Sequence, residues 1–135
     1  MQSIGGGCLC RAVRYRITAE PRARTLCHCR TCQLAAGGPS VAWIVIASNA
    51  FQFTAGTPTE FASSPGVLRT FCSRCGTSLT YQRTEEADSI DVTTVSLDDP
   101  NAFAPALEIW TSHRLAWECL NDSMKQYPES SRSET

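Results

Sequence analysis

The sequence predicts a mainly β domain, built from short antiparallel sheets with little helix. Short segments rich in β-branched and aromatic residues recur along the chain and are separated by turns that contain glycine or proline. Apolar residues make up 42% of the chain and charged residues 19%, which is typical of a folded domain and not of a disordered chain. A length of 135 residues is enough for one modest core.

The elements follow from local patterns, taken in chain order. In residues 11–18, RAVRYRIT, arginine alternates with apolar residues, which predicts a strand buried on one face. Residues 30–36, RTCQLAA, predict one or two helical turns that stop at the glycine pair before Pro39. The apolar run 41–46 predicts a buried strand. Further strands, bounded by turn signals, are predicted at 51–56, 59–63, 67–71, 78–82, 89–97 and 106–110.

The chain is expected to hold one domain, residues 1–120, followed by a polar, flexible tail, residues 121–135. The last ten residues, QYPESSRSET, carry few apolar side chains that could drive folding. The longest apolar run, around 41–47, is too short to span a bilayer, and the start MQSIGGG lacks signal-peptide features. We therefore expect a cytoplasmic protein with reduced thiols and no membrane partner.

Charge is unevenly distributed, although the net charge is only −1. Residues 1–40 carry six arginines and one acidic residue, Glu20. This basic third suits an anionic small molecule, or it is simply the solvated face of a strand. The chain has no lysine-rich run or aromatic stacking platform, so no nucleic-acid partner is predicted.

Eight cysteines in a reducing compartment indicate metal binding more than disulfides. Cys119 stands alone, and the other seven form three groups: Cys8-x-Cys10, Cys27-x-Cys29-x-x-Cys32 and Cys72-x-x-Cys75. A structural zinc takes four thiolates, and a C-x-x-C turn between strands supplies half of such a site. We assign Cys8, Cys10, Cys72 and Cys75 to a structural zinc. The alternative, a redox dithiol, usually opens a helix, whereas the residues after Cys75 predict a strand.

The middle group leaves three thiols, Cys27, Cys29 and Cys32, for a second ion. Three protein ligands with one vacant position are the pattern of catalytic zinc. The helical turn at Cys32 should direct amide groups toward the thiolates and favour their deprotonation. A closed site completed by a spare thiol or by His113 is the alternative, and spacing alone does not decide between the two. His28 lies between two of the ligands and should point away from the ion.

Taken together, four fragments resemble the glutathione-dependent formaldehyde-activating family, which has a centromere-protein-V-like branch. They are GGGCLCRAVRY, CHCRTCQLAAGG, SPGVLRTFCSRCGTSLTYQ and VSLDDP, and the resemblance covers about residues 5–117. It implies an Mss4-like β fold with two zinc ions per chain. It also implies a structural zinc on Cys8, Cys10, Cys72 and Cys75, and a catalytic zinc with a free position on Cys27, Cys29 and Cys32.

The resemblance implies an enzyme, a zinc-dependent carbon–sulfur lyase that acts on the adduct of glutathione and formaldehyde or on a related small thiol–aldehyde adduct. Zinc can lower the pKa of a bound thiol or polarise an aldehyde oxygen. The N-terminal arginines can then meet the two carboxylates of glutathione. Two other functions stay open: a non-enzymatic zinc module that binds a protein partner, and a thiol or metal sensor.

Two positions depart from the family pattern. The family commonly has glycine directly after C-x-C, where this chain has Arg11. Near the end it tends to have proline before tryptophan, where this chain has Ala116 before Trp117. Both positions lie outside the zinc motifs, so they bear on the identity of the substrate and not on metal binding.

Overall fold

The three-dimensional structure is a computed structural model that describes residues 2–131. In these residues one α-helix, α1 (Arg30–Ala36), accompanies eleven strands. The strands are β1 (Ile4–Gly7), β2 (Arg14–Ile17), β3 (Ala23–Cys27), β4 (Val41–Ala47), β5 (Phe51–Ala55), β6 (Thr59–Ser64), β7 (Val67–Phe71), β8 (Ser78–Arg83), β9 (Ser89–Thr93), β10 (Leu107–Ile109) and β11 (Lys125–Gln126).

Two sheets hold these strands, and the predicted mainly β class is confirmed. Strands β1, β2 and β5 form a three-stranded antiparallel sheet. The other sheet has eight strands in the order β11-β10-β3-β4-β9-β8-β7-β6. It is mixed and not purely antiparallel, because β10 runs parallel to both β3 and β11.

Strand β2 confirms the alternation read from the sequence. Tyr15 and Ile17 are buried, and Arg14 and Arg16 point outward. Its partner β1 was not predicted, because glycine is depleted in strands. The structure supplies a reason for glycine here: a Cβ on Gly6 would lie 2.3 Å from the Tyr15 ring, so only glycine leaves room for that ring.

Strand β4 lies inside the eight-stranded sheet and is buried on both faces, as its continuous apolar sequence predicts. On one face, Ile44 and Ile46 join the main core together with residues of β2, β8 and β9. On the other face, Val41 and Trp43 belong to a smaller cluster that contains Cys27 and Cys32. The strand thus forms a rigid wall between the main core and the second cysteine group.

Helix α1 has the predicted bounds and ends at Gly37, which is in the left-handed conformation with φ of 71°. The predicted strand at 89–97 is shorter, since β9 ends at Thr93 and a 3-10 turn follows at Thr94–Ser96. Within residues 2–131, no helix has the length and apolar character that crossing a membrane requires.

The C-terminal segment contacts the rest of the domain. Residues 121–131 pack against the domain, because β11 pairs with β10 and Tyr127 is buried. The amide of Trp110 also donates to the carbonyl of Glu129 at 3.0 Å. The contacts that join this segment to the domain are mainly hydrogen bonds of its backbone, which do not depend on side-chain polarity. Residues 132–135 lie outside the described residues.

Candidate metal centres

The first and third cysteine groups meet in one cluster. The ligand atoms of Cys8, Cys10, Cys72 and Cys75 all lie within 4.8 Å of one another. Sγ of Cys10 lies 3.6 Å from that of Cys8 and 3.7 Å from that of Cys72. Four sulfurs placed about 2.3 Å from a zinc ion at tetrahedral corners are about 3.8 Å apart. The four-cysteine cluster therefore fits a tetrahedral metal ion, and all four thiols are free of disulfides.

Two tight turns present these four sulfurs. Cys8 and Cys10 lie in the turn between β1 and β2. Cys72 and Cys75 lie in the turn between β7 and β8, closed by the Gly76 amide donating to the Cys72 carbonyl at 2.8 Å. Strand β8 begins soon after this turn, which favours a metal-binding turn over the redox dithiol.

Neighbouring groups stabilise negative charge on two of these sulfurs, those of Cys8 and Cys75. Hydrogen bonds from the side chain and the backbone of Thr77 lower the pKa of Cys75 to about 5. The amide of Val13 donates to Sγ of Cys8 at 3.2 Å. Arg11, the residue that stands in place of the family's glycine, has a positive φ of 67°. The position thus demands a left-handed conformation, for which glycine is better suited.

The middle group forms a second cluster, in which the ligand atoms of Cys27, Cys29 and Cys32 lie within 4.8 Å of one another. Cys27 ends β3, and Cys29 is the N-cap of α1, so its sulfur accepts a hydrogen bond from the Cys32 amide at 3.4 Å. Between residues 2 and 131, no further histidine, cysteine or carboxylate atom lies within that distance of all three sulfurs. His113 and Cys119 therefore do not close this cluster, and Cys119 is exposed.

Three sulfurs so close together cannot all carry a negative charge without a cation. Hydrogen bonds with Cys27 and Cys32 hold the pKa of Cys29 far below its usual value. Hydrogen bonds with Cys29 and Cys32, together with burial, raise the pKa of Cys27. Thiolates are the ligands that zinc prefers, and a divalent cation removes this conflict by neutralising the repulsion. The donor set of the second cluster therefore fits a metal ion as well.

His28 points away from the second cluster, as predicted, but it is not at the surface. Its side chain is fully buried, and Nε2 lies 2.8 Å from Oε1 of Glu108, which is also buried. Oε2 of Glu108 accepts hydrogen bonds from the Asn121 amide at 2.8 Å and from Nε2 of Gln126 at 3.4 Å. The histidine between two ligands is thus anchored to the C-terminal segment. The sequence pattern alone does not identify Glu108 as a partner of His28. Its only indication is that Glu108 is a single acidic residue inside the apolar segment ALEIW.

A pocket of about 320 Å³ opens beside the second cluster. Its lining includes the three cysteines, and Trp43, Tyr81 and Trp110 contribute aromatic surface. Trp43 is also part of the core, as expected for an aromatic residue in a strand, whereas Trp117 is largely exposed. The four-cysteine cluster does not line this pocket. A small molecule in this pocket therefore reaches the three-cysteine cluster and not the four-cysteine cluster.

The arginines are not placed as the N-terminal charge pattern suggested. Of the six arginines in residues 1–40, only Arg30 lines the pocket. Arg14 instead forms a bidentate ion pair with Asp98, which holds the pKa of that carboxyl below its usual value. The pocket gains another cation that the sequence did not single out, Arg69, whose Nη2 lies 3.7 Å from Sγ of Cys32. His113 is exposed and also lines the pocket.

Comparison with known proteins gives three findings. The sequence pattern of the glutathione-dependent formaldehyde-activating enzyme family matches residues 3–113. A Schizosaccharomyces pombe protein described as an uncharacterized lyase is 30% identical over 84 residues, which are 62% of this chain and 61% of that protein. The match thus spans less than two thirds of that relative's length. A crystal structure of a Rhodobacter sphaeroides protein aligns with a TM-score of 0.60 at 19% identity, over 70% of this chain and 87% of the other, which supports the fold.

Proposed function

Because the chain belongs to the glutathione-dependent formaldehyde-activating enzyme family, we propose that it is a lyase that makes and breaks the carbon–sulfur bond of a thiol–formaldehyde adduct. The one observation that carries this proposal is the three-cysteine cluster, which lines a pocket and has no fourth ligand among residues 2–131. The name of the fungal relative, a lyase, agrees with this reaction class.

In this proposal the two clusters have different tasks. Cys8, Cys10, Cys72 and Cys75 hold a zinc ion that stabilises the fold, since they surround it completely and join the β1–β2 turn to the β7–β8 turn. Cys27, Cys29 and Cys32 hold a second zinc ion at the pocket. When bound there, zinc lowers the pKa of a thiol and polarises a carbonyl oxygen.

The reaction itself is a simple addition. The sulfur of the thiol bonds to the carbon of formaldehyde, the π electron pair of the carbonyl moves to oxygen, and that oxygen takes the proton that the thiol has lost. The product is a hemithioacetal, in which sulfur carries a hydroxymethyl group, and the reverse reaction is the lyase step. The chain contributes by orienting the reactants in a pocket of about 320 Å³, which suits a small thiol better than a macromolecule.

Residues around the cluster keep its geometry fixed. The Cys32 amide donates to Cys29, and the His28–Glu108 pair anchors the loop between Cys27 and Cys29. Trp43, Tyr81 and Trp110 give the pocket beside the cluster an aromatic lining. Eight free thiols are typical of a reducing compartment, so we propose the cytoplasm as the site of action.

The test is a titration of zinc-loaded protein with glutathione, followed by calorimetry and by metal analysis. We expect one glutathione to bind per chain, and we expect this binding to be lost in Cys29→Ser while the fold persists. Formation of S-hydroxymethylglutathione from glutathione and formaldehyde is then measured with the loaded protein. If both zinc ions are held tightly and no thiol binds, the chain is instead a zinc module for a protein partner. Reversible loss of zinc on oxidation without turnover identifies a sensor.

A further inference from the structure

We propose that Arg69 is the residue of the pocket that recognises an anionic group of the substrate, so that the enzyme selects thiols that carry a carboxylate. This inference rests on the proposed function and adds a substrate class to it. Arg69 lies on β7, opposite Tyr81 of β8, and its side chain reaches the pocket beside the second cysteine cluster.

The contacts of Arg69 hold its guanidinium in one orientation. Its Nε donates to Oγ of Ser63 at 3.0 Å, and Nη2 lies 3.7 Å from Sγ of Cys32. The centre of the guanidinium lies 4.9 Å from the centroid of the Tyr81 ring, within the range of a cation–π contact. A guanidinium fixed on three sides is preorganised, so little side-chain entropy is lost when a ligand binds.

Among residues 2–131, the remaining nitrogen of this guanidinium, Nη1, has no hydrogen-bond acceptor. Arg69 is only 7% exposed, and its buried Nη1 makes no hydrogen bond. The sulfur of Cys32 faces Nη2, whereas Nη1 is a buried donor without an acceptor, and such donors are uncommon in folded proteins. An anionic oxygen of a ligand would satisfy this donor.

The position of Arg69 restricts the chemistry of that ligand. Since Nη2 contacts the Cys32 sulfur, a group on Nη1 lies within a few ångströms of the second cluster. In a ligand that binds the cluster through sulfur and Arg69 through an anionic oxygen, the sulfur and that oxygen are therefore separated by only a few bonds. A guanidinium matches a carboxylate in shape and charge, which favours a carboxylate over a neutral amide or hydroxyl.

The other charged groups of the pocket do not provide an equivalent site. Arg30 donates to Oε1 of Gln33 at 3.0 Å and is exposed, so water competes at its surface. His113 is exposed and lies against Trp110. Asp91 also lines the pocket, but its carboxylate has no donor to offer an anion.

The experiment measures thiol binding to zinc-loaded protein by calorimetry, with matched pairs of ligands. One pair is 3-mercaptopropionate and its methyl ester, and the other is glutathione and its diethyl ester. In the unaltered protein we expect each acid to bind at least about tenfold tighter than its ester, as one charge-assisted hydrogen bond provides. In Arg69→Met this ratio should fall to about one, while the affinity for the esters changes little. The control is Arg30→Met, which removes a second pocket arginine and should keep the preference.

The outcomes separate this inference from the proposed function. If the unaltered protein binds no thiol at all, the proposed function fails. If acid and ester bind equally well, or if Arg69→Met keeps the preference, the role of Arg69 is refuted and the lyase proposal stands. Zinc content and circular dichroism establish that the variants are folded. If Arg69→Met loses its second zinc, Arg69→Lys replaces it in the experiment. Lysine keeps the positive charge but lacks the planar guanidinium that binds a carboxylate through two nitrogens. A preference undiminished in Arg69→Lys would also overturn the role of the guanidinium.

Discussion

Glu108 offers a prediction whose size follows from its contacts. It is 1% exposed and accepts hydrogen bonds from Asn121 and Gln126, with His28 on its other oxygen. Glu108→Gln keeps the size of the side chain and replaces one oxygen by an NH₂ group. That NH₂ must face either the two donors on Oε2 or Nε2 of His28. Turned toward the two donors on Oε2, the NH₂ opposes them; turned toward Nε2, it forces the proton of His28 onto Nδ1, which has no acceptor among residues 2–131. Either way, a buried N–H is left without a partner.

We expect Glu108→Gln to lower the free energy of unfolding by about 1–3 kcal/mol, the range for leaving a buried polar group unsatisfied. For a domain of this size that corresponds to a fall in Tm of about 3–5 °C per kcal/mol. The loop between Cys27 and Cys29 should also loosen, so the second zinc should be removed by a chelator at lower concentration than in the unaltered protein. Urea unfolding of the zinc-loaded protein gives the first quantity, and chelator competition gives the second.

The matched control is Glu60→Gln, at an exposed position on β6, which should change stability by no more than about 0.5 kcal/mol. If Glu108→Gln unfolds like this control and holds its second zinc as tightly as the unaltered protein, the buried pair does not anchor the metal loop. That result would refute the reasoning from burial and hydrogen bonding.

Three further predictions use the same zinc-loaded protein. Arg11→Gly should raise the free energy of unfolding by about 0.5–1 kcal/mol in urea, because it relieves a positive φ; a loss of stability would contradict this. Tyr15→Phe should cost about 1 kcal/mol, since it removes the buried 2.6 Å hydrogen bond to Ser96, and an unchanged urea midpoint would show that this bond contributes nothing net. Cys75→Ser should unfold the domain by circular dichroism, whereas Cys29→Ser should keep the fold and lose one zinc; equal loss of structure in both would abolish the distinction between the two clusters.

Local sequence patterns were enough for much of the fold. The alternation in residues 14–17 and the helix stop at Gly37 depend on neighbouring residues, and the structure agrees with both. The division of seven cysteines into four and three also matches the two clusters. This succeeded because C-x-C and C-x-x-C spacings leave few ways to surround an ion.

The missed features depend on contacts between distant parts of the chain. Strands β1 and β11 have weak local propensity and form because a partner strand is present. Glu108 was read as part of a strand, yet its role needs Asn121 and Gln126 folded back onto it. Arg69, in the segment VLRTF, becomes a pocket residue only because Cys32 lies across from it. In both cases, a charged residue inside an apolar strand was the only feature of the sequence that indicated a specific role.

The central claim is that four sulfurs enclose one zinc ion and three hold another with a place left for a thiol. X-ray absorption at the zinc edge measures the average number of sulfur neighbours directly. For protein with two zinc ions per chain, we expect an average of about 3.5 sulfurs per zinc, rising to about 4 when glutathione is added. An average of about 4 before glutathione is added, or no rise on its addition, would contradict the claim.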